Sequence, residues 1–92
     1  MSLTTGKTQI AASGNDTFNP NGLESNLYHT ITVTGSGVAQ IELKHLDNDY
    51  ITVATGVTAE VNTYVMYGCS AIKITETGGA SAIEVSLASM DV

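Results

Sequence analysis

The chain has 92 residues and a single cysteine, Cys69, so it is long enough for one domain and cannot form an internal disulfide. Only 13% of the residues are charged, and the net charge of −6 includes three lysines and no arginine, which argues against binding to nucleic acid or to anionic membranes. A domain this small usually needs disulfides, metals or partner subunits for stability, and one cysteine with two histidines makes partner subunits the expected source.

Residues 1–26 hold few large apolar side chains and are rich in Asn, Thr, Ser and Gly. A weak strand is predicted at residues 7–12, and the only proline, Pro20, lies in a strong turn signal at residues 19–22. No apolar run of signal-peptide length is present, so we expect synthesis in a cytoplasm. The segment is expected to be either a loosely ordered terminus or an arm that orders against a neighbouring subunit.

From residue 27 onward, apolar residues alternate with polar ones, which predicts β-strands. Gly, Asn and Asp turn signals separate six of them, at residues 30–34, 39–44, 50–54, 57–65, 72–75 and 83–87. In the fourth, the alternation assigns Val61 and Val65 to the inward face. We therefore expect an all-β sandwich domain over residues 27–92, with residues 1–26 as a polar N-terminal arm or extended segment. The expected architecture is a small antiparallel β-sandwich, jelly-roll-like or immunoglobulin-like, or a barrel of about 6–8 short strands.

Two segments repeat one order of elements and are predicted to be β-hairpins. Residues 30–43 and 73–85 each contain a strand, a glycine-containing turn and a return strand with an outward glutamate. The turn chemistry that hairpins share explains the similarity. A sequence duplication is the alternative.

The residues with catalytic or metal-binding chemistry form no recognised motif. His29 and His45 take inward positions and are interpreted as hydrogen-bonded structural histidines, with a coupled pair across adjacent strands as the alternative. Cys69 is expected to be a buried, inert thiol. Residues 47–49 (Asp-Asn-Asp) are interpreted as a turn, and the alternative of a calcium loop lacks the closing glutamate. We therefore expect no enzyme activity, no cofactor and no metal.

The segment 63–67 has apolar or aromatic side chains on both faces of its strand. One face must meet the core, and the other lies under a loop or meets another molecule. Interfaces favour Tyr and Met, so the segment is a candidate oligomer or partner contact. The candidate interface residues are Tyr28, Tyr64, Met66, Tyr67 and Phe18.

The segments ITVTGSGVAQIEL and IKITETGGASAIEVSL, in a short chain rich in Thr, Gly and Ala, resemble small β-sandwich virion proteins of tailed bacteriophages. These include capsid decoration (cement) proteins and tail-associated modules, and the resemblance covers residues 27–90. It implies a structural protein made in the bacterial host cytoplasm and assembled into the virion. It also implies a homo-oligomer, with a trimer favoured, that binds a major capsid or tail protein. The alternative is a carbohydrate- or receptor-binding module of a tail fibre or adhesin, with Tyr64 as a candidate sugar platform.

Overall fold

The structure, a computed structural model, describes residues 3–19 and 23–91. It contains eight strands and one turn of 3-10 helix, Leu23–Ser25. The strands are β1 (Leu3–Ile10), β2 (Asn15–Phe18), β3 (Tyr28–Gly35), β4 (Ala39–His45), β5 (Tyr50–Val57), β6 (Glu60–Val65), β7 (Cys69–Glu76) and β8 (Ile83–Met90). No helix in these two ranges is long and apolar enough to cross a bilayer.

The strands form two four-stranded antiparallel sheets, which confirms the predicted β-sandwich. Sheet A has the order β1-β8-β3-β6, and sheet B has the order β2-β7-β4-β5. The pairing is nested around the middle of the chain, because β4 pairs with β5, β3 with β6, β2 with β7 and β1 with β8. A long antiparallel ribbon folded over in this way is a jelly roll, the first of the two predicted topologies.

The two predicted hairpins, at residues 30–43 and 73–85, are wrong. β3 and β4 lie in different sheets, and so do β7 and β8. Each glycine-containing connection is therefore an arch from one sheet to the other. A glycine-containing local pattern predicts a change of chain direction, but it carries no information on which strands pair.

The core lies between the sheets and consists of alternating aliphatic residues from the central strands, as the period of two predicts. At most 2% of each of these residues is exposed: Ile31, Val33, Ile41, Leu43, Ile72, Ile74, Ile83, Val85 and Leu87. Burying one side chain of this size stabilises the fold by roughly 1.5–3 kcal/mol. The strands that the sequence predicts most clearly are therefore those that supply the core.

Residues 3–19 belong to the sandwich, so the expected division into an arm over 1–26 and a domain over 27–92 does not hold for them. They form β1 and β2, which are edge strands of sheets A and B. β1 pairs with β8 along its whole length, and this long-range pairing compensates for its weak apolar pattern. Phe18 of β2 reaches the core, where its ring lies so close to Gly6 that a Cβ added there would be 2.9 Å away. Pro20 and most of the predicted turn lie outside the described residues.

One end of the sandwich is held by Glu76, the last residue of β7, which is 1% exposed. Its carboxylate accepts hydrogen bonds of 2.7–3.0 Å from the backbone N–H groups of Ser13, Val38, Gly78 and Gly79. These donors lie in the β1–β2, β3–β4 and β7–β8 connections, so three loops converge on one carboxylate. The hydrogen bonds, that of Ser13 first and that of Val38 next, lower the pKa of Glu76 to about 2. We call this arrangement the Glu76 anchor.

The β3–β4 arch reaches the Glu76 anchor because Gly37 has no side chain. A Cβ at this position would lie 2.5 Å from the Ser81 carbonyl oxygen and 2.7 Å from Cγ2 of Ile83. Both distances are far below van der Waals contact, so the arch would have to move away from the β7–β8 connection. Glycine here is a packing requirement.

Candidate interaction surface

Sheet A presents one face to solvent, and the strand register shows which side chains share it. Directly opposed residues of antiparallel strands point to the same face. Read across β1, β8, β3 and β6, three cross-strand rows result: Leu3, Met90, Tyr28 and Val65; then Thr5, Ala88, Thr30 and Thr63; then Lys7, Ser86, Thr32 and Val61. We call the surface formed by these rows and by the shorter row of Gln9, Glu84 and Thr34 outer face A.

The first row is apolar from one edge of sheet A to the other. We call Leu3, Met90, Tyr28 and Val65 the apolar row; Leu3 is 60% and Val65 63% exposed. With strands about 4.8 Å apart, the row extends for about 14 Å. Because its members are contiguous, the row is the candidate contact surface of sheet A.

The rest of outer face A consists mainly of short, uncharged side chains. The charged residues among its strand positions, Lys7 and Glu84, form an ion pair with an N–O distance of 2.7 Å. The hydrogen bond from Lys7 to Glu84, and then the charge of Glu84, raise the pKa of Lys7. The net charge of −6 therefore arises elsewhere in the chain, and outer face A can approach another acidic protein without direct repulsion.

The outer face of sheet B has a different character, because the other two lysines of the chain lie on it. The Nζ atoms of Lys44 and Lys73 are 5.8 and 5.7 Å from the centroid of the Tyr50 ring, within cation–π range. Glu42 lies opposite Lys73 in the register of β4 and β7. Sheet B thus carries a small cationic and aromatic patch, which we call the Tyr50 patch.

His29 is fully buried at the end of the sandwich where the apolar row lies. Its Nδ1 atom is 2.7 Å from Ser89 Oγ, and its Nε2 atom is 3.1 Å from the Met66 carbonyl oxygen. Since a carbonyl only accepts, Nε2 carries the proton and donates to Met66, and Nδ1 accepts from the Ser89 hydroxyl. Burial lowers the pKa of His29, so the ring is neutral at neutral pH. His45 lies on β4 in the other sheet, so the alternative of a histidine pair across adjacent strands is wrong.

The candidate interface residues divide between the surface and the interior. Tyr28 and Tyr67 are exposed, Tyr67 to 75%. Tyr64 and Met66 are half-buried and pack against the core. Phe18 is buried within the core and is unavailable for contact with a partner, because β2 turns its side chain inward.

The prediction of which side of β6 faces inward is wrong. Val61 and Val65 are exposed on outer face A, whereas Tyr64 and Met66 point to the core. β6 is an edge strand, where an inward position suits a side chain long enough to reach the core, and Tyr and Met are longer than Val. Sequence reasoning therefore missed the valines and Leu3 as surface residues. The apolar pattern on both faces of segment 63–67 was the available signal.

The remaining candidate sites take ordinary structural positions. Cys69 is buried at the start of β7, and burial raises the pKa of its thiol. Residues 47–49 are exposed and form a turn. The Asn48 N–H donates to the His45 carbonyl oxygen with an N–O distance of 3.1 Å. Across residues 3–19 and 23–91 we find no ligand-sized pocket and no group of three His, Cys, Asp or Glu side chains placed to hold a metal.

No protein-family model matches the sequence, and no curated protein matches it significantly. Solved structures share the fold. A mitogen derived from Yersinia pseudotuberculosis is similar with a TM-score of 0.62 at 14% identity, over 97% of this chain and 86% of the mitogen. The SPBc2 prophage-derived protein YomS is similar with a TM-score of 0.61 at 13% identity, over 97% of this chain and 95% of YomS. A protein of Bacillus endospore appendages, which are described as disulfide-linked pili, is similar with a TM-score of 0.51 at 13% identity. The match covers 99% of this chain and 90% of the appendage protein.

Proposed function

We propose that this chain is a structural protein without enzyme activity that works in many copies on a phage particle and binds it through outer face A. The specific role that we infer is capsid decoration, with a major capsid protein as the partner and a tail protein as the second choice. The virion is then its location. The observation that carries the proposal is a face on which Lys7 and Glu84 neutralise each other and an apolar row runs from edge to edge.

The physical basis is the sum of many modest contacts. Leu3, Tyr28 and Val65 together offer a few kcal/mol of hydrophobic contact to a partner, since complete burial of one such side chain contributes roughly 1.5–3 kcal/mol. Such an interface binds weakly in one copy. Copies that are held together on a particle multiply weak contacts through their effective concentration.

Two of the structures with this fold support a particle or fibre role. One is a prophage-derived protein, and the other belongs to appendages described as pili. The appendages are described as disulfide-linked, whereas the single cysteine of this chain, Cys69, is buried. We therefore propose that copies of this chain associate without disulfides. The resemblance to cement proteins implies a trimer, and no other observation supports that number of copies.

Co-sedimentation with particles of the phage or prophage that encodes the chain tests the proposal. Tyr28→Glu places a charge in the middle of the apolar row and is expected to weaken particle binding by about 2 kcal/mol, or roughly 30-fold. Thr52→Glu, the same new charge on an exposed position of sheet B, is the control and is expected to bind normally. Absence of wild-type binding, or equal binding by both variants, would contradict the proposal.

A second candidate function, binding of an acidic carbohydrate, is favoured by the Tyr50 patch. A sugar stacks on an aromatic ring, and Lys44 and Lys73 beside that ring would bind a carboxylate or sulfate group. Tyr64 packs against the core, whereas Tyr50 lies beside Lys44 on the outer face of sheet B, so Tyr50 is the better platform. A glycan array is the test: binding that is lost in Lys73→Ala and kept in Tyr28→Glu would favour this function over particle decoration.

A further inference from the structure

The sandwich has four edge strands, and three of them carry features that hinder pairing with another chain. β2 is only four residues long, β5 is interrupted by register shifts against β4, and β1 carries the exposed Lys7. Short length, bulges and lysine are common means of blocking an edge. β6 has none of these features. Its register against β3 is regular over Glu60–Val65, and its residues 61–65 are uncharged.

The hydrogen bonds between β6 and β3 show which backbone groups of β6 are already used. The Met66 N–H donates to the Leu27 carbonyl at 3.0 Å. Hydrogen-bonded pairs alternate with non-bonded pairs along an antiparallel ladder. Tyr64 lies two residues before Met66, so its backbone is hydrogen-bonded to the backbone of His29, the residue opposite it. The even-numbered residues of β6 therefore all direct their backbone N–H and C=O groups to β3.

The odd residues of β6 direct their N–H and C=O groups away from β3, to the open edge. Thr63 and Thr30 form a non-bonded pair, and their hydroxyl oxygens lie 3.1 Å apart, as the closer spacing of such a pair allows. The free groups belong to Val61, Thr63 and Val65, whose side chains share outer face A. Within the part of the chain that the structure describes, the edge thus offers a row of unused hydrogen-bonding groups beside two exposed valines.

We propose that β6 pairs in antiparallel orientation with β6 of a second copy, about a twofold axis at Thr63. In this register Val61 lies opposite Val65 of the second copy and Thr63 lies opposite itself. All three pairs use free edge groups on both sides, so about six backbone hydrogen bonds form. Each exposed valine gains a valine neighbour, and two copies of sheet A become one continuous sheet.

The strand itself indicates a second copy as the occupant. The twofold register brings no charged side chains of outer face A into opposition, although each copy has a net charge of −6. A head-to-tail pairing of β6 with β1 in the register that continues the apolar row would set Val61 against Lys7. Asn62 is a further sign of a missing neighbour, since its side-chain nitrogen is buried with no acceptor among the described residues. In the twofold register it lies opposite Tyr64 of the second copy.

Sedimentation velocity of the purified full chain over micromolar concentrations tests the pairing without any particle. The wild type is expected to be a concentration-dependent dimer. Val61→Lys is expected to raise the dimer dissociation constant at least about tenfold, because two lysines then enter the contact. Thr63→Pro removes the central free N–H but no hydrogen bond to β3, and it is expected to give a monomer.

The matched control is Thr5→Pro on the other edge of sheet A. Continuing the alternation across β3 and β8 directs the N–H of Thr5 to the open edge of β1, so this variant should remain dimeric. If Thr63→Pro fails to fold, Val61→Lys at its solvent-exposed position decides the question. A wild type that stays monomeric or forms trimers, or a dimer that Thr5→Pro dissociates, overturns the proposal. A monomer that still binds particles would remove the dimer and leave the proposed function in place.

Discussion

The two ends of the sandwich are each closed by a buried polar side chain, but one of these is charged and the other is neutral. Glu76 remains ionised because four backbone N–H groups donate to its carboxylate. His29 has one hydroxyl and one carbonyl as partners, and these suit a neutral ring. The number and type of available partners therefore decide the charge state, since burial alone disfavours both ions.

The difference also separates their structural roles. Glu76 joins three connections between the sheets, so its loss affects a whole end of the molecule. His29 joins the end of β8 to the segment after β6. The loops at the Glu76 end are expected to be coupled through one carboxylate, and the His29 end is expected to tolerate more change.

Removing the charge of Glu76 is expected to have the largest effect. In Glu76→Gln an amide group replaces one carboxylate oxygen and faces N–H donors, which leaves buried donors without acceptors. The melting temperature should fall by roughly 20 °C, or the chain should fail to fold. Thermal unfolding followed by circular dichroism measures this. The control is Glu84→Gln, the same change at an exposed carboxylate, and a comparable loss there would contradict the role given to Glu76.

Replacing His29 is expected to have a smaller effect. His29→Leu keeps the apolar volume but leaves the Ser89 hydroxyl and the Met66 carbonyl without their partner, at a cost of about 2 kcal/mol. Urea unfolding at pH 7.5 measures the loss. Ser89→Ala, which removes one of the two interactions, should lose about half as much. Equal stability of all three proteins would show that the hydrogen bonds of the ring contribute nothing.

The pH dependence of stability should show two separate windows. The unfolded chain binds a proton at His29 below its ordinary pKa of 6.5, whereas the folded chain resists it, so stability decreases as the pH falls below about 6.5. The Glu76 contribution is complete above its ordinary pKa of 4.5 and is lost as the pH falls towards about 2. The melting temperature is measured from pH 8 to pH 2. His29→Leu should lack the decrease below about pH 6.5, and Glu76→Gln should lack the decrease between about pH 4.5 and pH 2. A single window that both variants leave unchanged would contradict the assignment.

The smallest effect is expected for the ion pair on outer face A, between the two ends. The side chains of Lys7 and Glu84 are 68% and 45% exposed, so solvent screens the pair and Lys7→Ala should leave the urea midpoint of unfolding nearly unchanged. Urea titration at low and at high salt measures it. A clear fall in the urea midpoint at low salt that disappears at high salt would mean that the pair stabilises the β1–β8 contact.

The sequence predicted the central strands well because their period of two is set by burial between two layers. The inward face of an edge strand was harder to predict. β2 has one inward apolar residue, Phe18, and β6 has its apolar residues on both faces, so local patterns could not decide the side. Sheet membership was equally inaccessible, since the pairing of β3 with β6 and β8 depends on residues far apart in the chain.

Glu76 was also missed, although a signal existed. It continues the inward positions of Ile72 and Ile74 and precedes a Gly-Gly pair, so it places a carboxylate at a core position beside flexible backbone donors. Segment 63–67 gave a signal for Val65, but no single segment could show that the apolar row is continuous. Leu3, Met90, Tyr28 and Val65 become neighbours only when four strands are in register.

The place of β8 in sheet A has a consequence for synthesis on the ribosome. β8 lies between β1 and β3, so neither strand has its partner on that side until residues 83–90 have left the exit tunnel. Until then the nascent chain exposes β1 and β3 without their β8 neighbour, and contact with other nascent chains is a hazard. Sheet A therefore closes only after β8 has left the ribosome.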